Sequence, residues 1–297
     1  MKQAASLVFS GSHAQFYLHD RPLLESYLAG LWEGNGHITT PVWNQQGGWT
    51  NTPGVFITFR EADRNTIEFF RRIAKRWGGW VREKPESHSL VWSITAFSEL
   101  LSLLSALNGH LRTPKIHQFS LLLKAMQEKD GTQPSVQPVD NSCLADNAWL
   151  AGFITADGGF KIPTSDQKRA GGEMGMRIEL RFVLEQRQYH PLTGDPSEPF
   201  MKKLADYLAC NLKTSKHHGN EYWCVECSAQ QKCKKISQYF SQYPILTSRE
   251  NDFKDWKTAL LMVLEKKHLL EAGRAEIVQL KQGMNDSRLH FDWSHLC

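Results

Sequence analysis

Apolar positions follow two periods along this chain, and their order of use occurs twice. Leu23 to Glu33 has the apolar spacing of a helix, whereas 36–43 and 55–60 are rich in β-branched and aromatic residues and read as strands. A helix is predicted over about 63–76, with Ile67, Phe70, Ile73 and Ala74 on one face and Asp63 as its cap. Gly78 and Gly79 end it. A hairpin follows over 80–83 and 90–94, then helices over about 97–107 and 115–127, giving the order αββαββαα. From residue 149 the order recurs: a helix to Thr155, strands near Phe160 and over 176–184, a helix over 199–209, strands over 212–215 and 221–228, and helices over 231–242 and 251–265. The last residues, with an amphipathic stretch from Leu269 to Leu280, have no counterpart and read as a packing extension.

The repetition extends to residue identity. Tyr27-Leu-Ala-Gly-Leu-Trp-Glu-Gly-Asn-Gly-His-Ile38 returns as Trp149-Leu-Ala-Gly-Phe-Ile-Thr-Ala-Asp-Gly-Gly-Phe160, an offset of 122 residues. Between the copies, 131–142 is polar, carries two prolines and lacks an apolar period, which is the composition of a linker. The predicted organisation is a first repeat over 1–130, a linker over 131–145, a second repeat over 146–266 and a helical extension over 267–297. Each final helix opens alike. Thr113-Pro-Lys115 and Thr247-Ser-Arg249 both put a basic residue four positions before an aromatic, Phe119 and Phe253.

Composition narrows the class without choosing within it. Of 297 residues, 41% are hydrophobic and ten are Trp, enough for a large core, and no apolar run approaches the roughly 18 residues of a membrane span. The N-terminus has one Lys and too short an apolar run for a signal peptide. A net charge of +4 permits phosphate binding. Six unevenly spaced cysteines do not form a secreted disulfide pattern and point to a reducing compartment. Cys224 and Cys227, with Cys233, His217 and His218 nearby, resemble a zinc half-site. On a strand, however, the first two point to opposite faces, so buried structural thiols are expected.

The repeated motif has a physical reading of its own. Leu28-Ala-Gly-Leu31 and Leu150-Ala-Gly-Phe153 place small residues between large ones, so two such helices can approach with their backbones nearly touching. Paired about an approximate dyad, they bring Asn35 and Asp157 together at their C-terminal ends. A carboxylate there opposes the helix dipole and calls for a cation; a hard divalent ion bound through oxygen can activate water and neutralise a phosphate.

With both motifs, the element order after each and the basic residue before each last helix, nearly the whole chain resembles the LAGLIDADG homing endonuclease and intron maturase family. The resemblance implies an α+β fold, with two pseudo-symmetric repeats forming a DNA-binding β-saddle around a central two-helix interface in a monomer. It also implies genes within mobile introns, mostly of mitochondria or other organelles, cleavage of long double-stranded DNA sites, assistance to intron splicing, or both. Asp157 matches the metal-binding acid of the second motif. Asn35 stands where the first has Asp or Glu, and an amide holds Mg²⁺, Mn²⁺ or Ca²⁺ far less well than a carboxylate. Glu33, two positions earlier, is expected to face away. The carbonyls of Gly34 and Ala156 match those that touch metal, Lys115 and Arg249 match the basic residue beside each site, and Glu61 and Gln186 match the polar residue that orients water. The last four also read as ordinary exposed polar residues.

Strand alternation puts Thr39, Trp43, Gln45, Arg82 and Lys84 of the first repeat, and Lys161, Lys168, Arg177, Arg181, Lys213 and Lys216 of the second, on the DNA-binding face, some of them as plain solvated charges. The expected activity is metal-dependent phosphodiester hydrolysis with an impaired first centre. The alternatives are a non-catalytic RNA maturase acting on a group I intron, or an Asn35 introduced to trap an uncut complex.

Overall fold

The computed structural model describes residues 12–42, 44–46, 48–133, 135–168, 174–191, 193–217 and 219–297, with the backbone alone at 156, 157 and 174. Trp43, expected on the DNA face, lies outside the described residues.

A short helix α1 (His13–His19), not anticipated from the sequence, opens with a Ser12–Gln15 capping box. Helix α2 (Arg21–Asn35) carries the first motif; Asp20 caps it by accepting from Leu23 N at 3.1 Å, and Pro22 occupies its first turn. Strands β1 (Gly36–Thr39) and β2 (Gly54–Arg60) follow, then a 3-10 segment (Glu61–Thr66), α3 (Ile67–Trp77), β3 (Trp80–Lys84), β4 (Ser89–Ile94), α4 (Phe97–Leu107) and α5 (Ile116–Asp130). The second repeat comprises α6 (Trp149–Asp157), β5 (Gly158–Lys161), β6 (Thr164–Lys168), β7 (Met174–Ile178), β8 (Arg181–Arg187), α7 (Glu198–Leu208), β9 (Asn211–His217), β10 (Asn220–Cys227), α8 (Gln230–Gln242) and α9 (Arg249–Leu264). The extension holds α10 (Glu271–Gln282) and short 3-10 turns.

Two antiparallel four-stranded sheets result, with matching orders β1-β2-β4-β3 and β5-β8-β10-β9. Helices cover one face of each: Phe59 packs on Phe70 of α3 with centroids 4.0 Å apart, while Phe160 and Phe182 pack on Phe240 of α8. One apolar core runs through both repeats. No described helix is long and apolar enough to cross a membrane.

Three expectations are corrected. The strand expected over 176–184 is two strands: β7 pairs only with β6, as a separate ribbon, and β8 enters the sheet. Asp63 does not cap α3, whose cap residue is Thr66; its buried carboxylate instead accepts from Ser248 N of the second repeat at 2.7 Å. Cys227 is not a free thiol but is bonded to Cys210, whereas Cys224 and Cys233 are free and buried as expected.

Candidate active site at the motif ends

Helices α2 and α6 meet at their motif glycines. A Cβ added at Gly30 would lie 1.9 Å from Trp149 O, and one at Gly152 would lie 2.0 Å from Tyr27 O. These contacts are reciprocal across the 122-residue offset, as they are for elements related by an approximate dyad, and only glycine permits them.

A cavity opens at each motif end, and each is lined by both repeats. The first, about 580 Å³, joins Gly34, Gly36, His37 and Lys115 to Gln186, Arg187 and His190. The second, about 370 Å³, joins Thr155, Gly158, Lys161 and Arg249 to Arg60 and Asp63, and the extension adds Asn285, Asp286 and Phe291. Glu185 lines both, so the two ends are neighbours.

The basic residues occupy comparable places. Lys115 Nζ donates to Gly36 O at 2.8 Å and to Trp32 O and Gly34 O at 3.4 Å, and Arg249 Nε donates to Thr155 O at 3.2 Å. Each cation thus meets the exposed carbonyls at the end of a motif helix, where the dipole favours positive charge. Burial lowers the pKa of His37 and of His190, and in both the positive charge of Lys115 adds to the effect.

Glu33, expected to face away, is among the residues that line the first cavity, and it is not idle. It is 1% exposed, and its carboxylate accepts from Arg112 N at 2.9 Å, from Thr113 N at 2.6 Å and Oγ1 at 2.5 Å, and from Trp149 Nε1 at 2.7 Å. Burial raises its pKa and these hydrogen bonds oppose the rise. Asp63 is likewise raised by burial and opposed chiefly by Ser248.

The donor chemistry of the two ends differs. At the first, a neutral amide at 35 and a Gly34 carbonyl already approached by an ammonium do not fit a hard divalent cation. At the second, the acid type at position 157, where α6 ends, suits a hard cation, while the Glu185 and Asp252 carboxylates on the cavity wall are engaged, Glu185 accepting from Ser215 Oγ at 2.8 Å and Asp252 from Arg288 Nε at 3.0 Å. No group of three or more His, Cys, Asp or Glu side chains converges among the described residues.

Sheet register sorts the other candidates. Gly36 pairs with Ile57 and Gly158 with Leu184, so Gln186 corresponds to Phe59, and Glu61 to Gln188. Gln186 lines the first cavity, whereas Glu61 does not line the second; it is exposed and held by His88 at 2.6 Å and Arg64 at 2.8 Å. Thr39, Arg82 and Lys84 share the helix-free face of the first sheet, and Lys161, Arg181 and Lys213 that of the second. Lys216 lies on the other face, donating to Glu221 at 3.3 Å. Gln45 sits in an exposed turn after β1, and Lys168 and Arg177 on opposite faces of the β6–β7 ribbon. Arg177 and Arg181 both pair with Glu179.

Sequence reasoning missed Arg60, His37 and His190. His37 and Arg60 were legible in principle, since they alternate in phase with Thr39 and Thr58; His190 lies in a loop with no periodic signal.

A sequence profile described as LAGLIDADG endonuclease matches residues 150–260. The "Intron-encoded DNA endonuclease aI3" of Saccharomyces cerevisiae is 28% identical over 305 residues, covering 92% of this chain and 72% of that protein. A "Probable intron-encoded DNA endonuclease aI1" of Mycosarcoma maydis is 32% identical over 117 residues, covering 38% of this chain and 94% of that one. Among solved structures, the homing endonuclease I-SmaMI bound to cleaved DNA superposes with a TM-score of 0.67 at 21% identity, over 89% of this chain and 98% of that one. The meganuclease I-AabMI bound to uncleaved DNA gives 0.67 at 22%, over 88% and 99%.

Proposed function

The chain belongs to the LAGLIDADG endonuclease family, and from that premise we propose that it is an intron-encoded, site-specific DNA endonuclease that acts as a monomer with one competent centre. The observation that carries this reading is the pair of neighbouring cavities at the motif ends, each lined by both repeats and each with a basic residue at a helix terminus, with an amide residue at position 35 and an acid at position 157.

Double-stranded DNA lies on the helix-free faces of the two sheets. Arg82, Lys84, Lys161, Arg181 and Lys213 neutralise phosphates or meet base edges there, with Thr39 beside them. At the second centre Asp157 and the Ala156 carbonyl would hold a divalent cation, Mg²⁺ or a relative, which would supply Lewis acidity toward phosphate and water. Arg249 and Lys161 neutralise the phosphate at that end, and Arg60 reaches it from the first repeat. Gln186 and His190 line the first centre, where Lys115 is in place but the acid is absent. One strand is cut much faster than the other. The gene sits in an intron of a mitochondrion or another organelle.

A second reading, in which the chain assists intron splicing without cutting, is favoured by Asn35 alone, because splicing does not need a carboxylate at that position.

Incubating the protein and its Asn35→Asp variant with Mg²⁺ and supercoiled DNA carrying the intronless host junction distinguishes them. Nicked circles from the native chain and linear product from the variant are expected. Absence of product from both, with host-intron splicing dependent on the protein, overturns the endonuclease reading.

A further inference from the structure

The motif acid Glu33 is buried, accepts hydrogen bonds from four donors, and takes no part in the chemistry described above. Its partners are not scattered. Arg112 N, Thr113 N and Thr113 Oγ1 belong to the segment just before Lys115, and the Thr113 hydroxyl oxygen in turn accepts from Lys115 N at 3.3 Å. Only Pro114 separates Thr113 from Lys115, and its ring fixes one of the few backbone angles between them. The fourth partner, Trp149 Nε1, ties the same carboxylate to the other motif helix.

The second repeat solves the same problem differently. Thr155 replaces Glu33 at the 122-residue offset, and Thr247 and Arg249 replace Thr113 and Lys115. There Leu246 N donates to the Tyr27 phenol at 3.2 Å, Ser248 N donates to the buried Asp63 carboxylate at 2.7 Å, and the buried Thr247 hydroxyl has no partner among the described residues. A buried acid therefore anchors the approach to each basic residue, and both acids come from the first repeat.

We propose that Glu33 is a positioning residue: its carboxylate holds segment 112–113 and thereby sets the Lys115 ammonium against the end of the first motif helix, with Asp63 doing the corresponding work for Arg249. Lys115 reaches three carbonyls of that helix end only if its own backbone is fixed, because a lysine stem has four rotatable bonds and gains little from any single exposed contact. The importance of Lys115 to cleavage rests on the endonuclease reading; its positioning does not.

The test is residue-resolved acylation of lysine amines in the full chain by an N-hydroxysuccinimide ester, read by peptide mass spectrometry. In Glu33→Gln, whose amide replaces one acceptor oxygen by a donor, Lys115 is expected to react about tenfold faster, the change that follows from losing hydrogen bonds of ordinary net strength. Glu33→Asp restores part of the protection, and Lys161 and Lys213 keep their native rates in both. Asp63→Asn leaves Lys115 unchanged. Equal Lys115 rates in the native chain and Glu33→Gln, or a parallel rise at Lys115, Lys161 and Lys213, overturns the proposal. If Glu33→Gln does not fold, Thr113→Val removes one donor and the relay to Lys115 N, and the same comparison applies. In an Asn35→Asp background, Glu33→Gln lowers the rate of the strand served by the first centre without changing the DNA Kd, whereas a merely structural role would move both. A chain that cuts no DNA can still pass the labelling test, and a cutting chain can fail it, so the two proposals fail separately.

Discussion

Thr113 and Thr247 are the same residue type at matching places in the two repeats, and their surroundings make them energetically unlike. Thr113 Oγ1 donates to a buried carboxylate at 2.5 Å, whereas Thr247 Oγ1 is buried without a partner. Hydrogen bonds to charged groups contribute roughly 1.5–3 kcal/mol, and an unpaired buried hydroxyl already bears its desolvation penalty. Thr113→Val is therefore expected to lower unfolding free energy by about 2 kcal/mol, while Thr247→Val, which deletes a polar atom that nothing satisfies, stays within about 1 kcal/mol of the native value or stabilises. Denaturant titration of both variants checks this, and equal losses would contradict the asymmetry. Identity and spacing in the chain reveal that both threonines exist. They cannot reveal partners 80 residues away for one and none for the other.

The two motif helices cross at a distance that only glycine allows. A methyl group at Gly30 or Gly152 would sit within about 2 Å of a backbone carbonyl, which cannot swing aside as a side chain can. Gly152→Ala is expected to cost at least the roughly 1–3 kcal/mol of ordinary overpacking, and to separate the motif ends on which both cavities depend. Thermal unfolding reads the first effect and loss of target-duplex binding the second; an alanine variant as stable as the native chain would mean that the helices do not cross there. This packing was legible in advance, because small residues between large ones have few other uses at a helix interface. The β6–β7 ribbon was not, since residue type marks 176–184 as extended but does not say where the chain leaves one sheet for another.

Two similar sheets on one core present two helix-free faces, and charge on those faces governs how the molecule meets a polyanion. Arg82 lies on such a face, stacked 5.3 Å from the Trp80 ring centroid, and Lys216 points the other way. Neutralising one phosphate contributes a slope of roughly 0.9 to the dependence of log affinity on log salt. Arg82→Ala should accordingly flatten that slope by about 1, and Lys216→Ala should leave it unaltered, in binding titrations of the target duplex at several salt concentrations. The opposite ranking would reverse the assignment of faces.

The order of elements, the duplication, the helix-pairing motif and the amide at position 35 follow from residue type and spacing, because period and steric size act locally and are written directly in the chain. Which repeat lends which side chain to which cavity does not. Gln186 lines the first centre, Arg60 the second, and Asp63, which looks like a helix cap in sequence, is instead bonded to Ser248 across the repeat interface. Those assignments arise only once the helices cross and the sheets settle side by side, since a residue's partner across an interface depends on the rotation between two bodies, a quantity that no local pattern encodes.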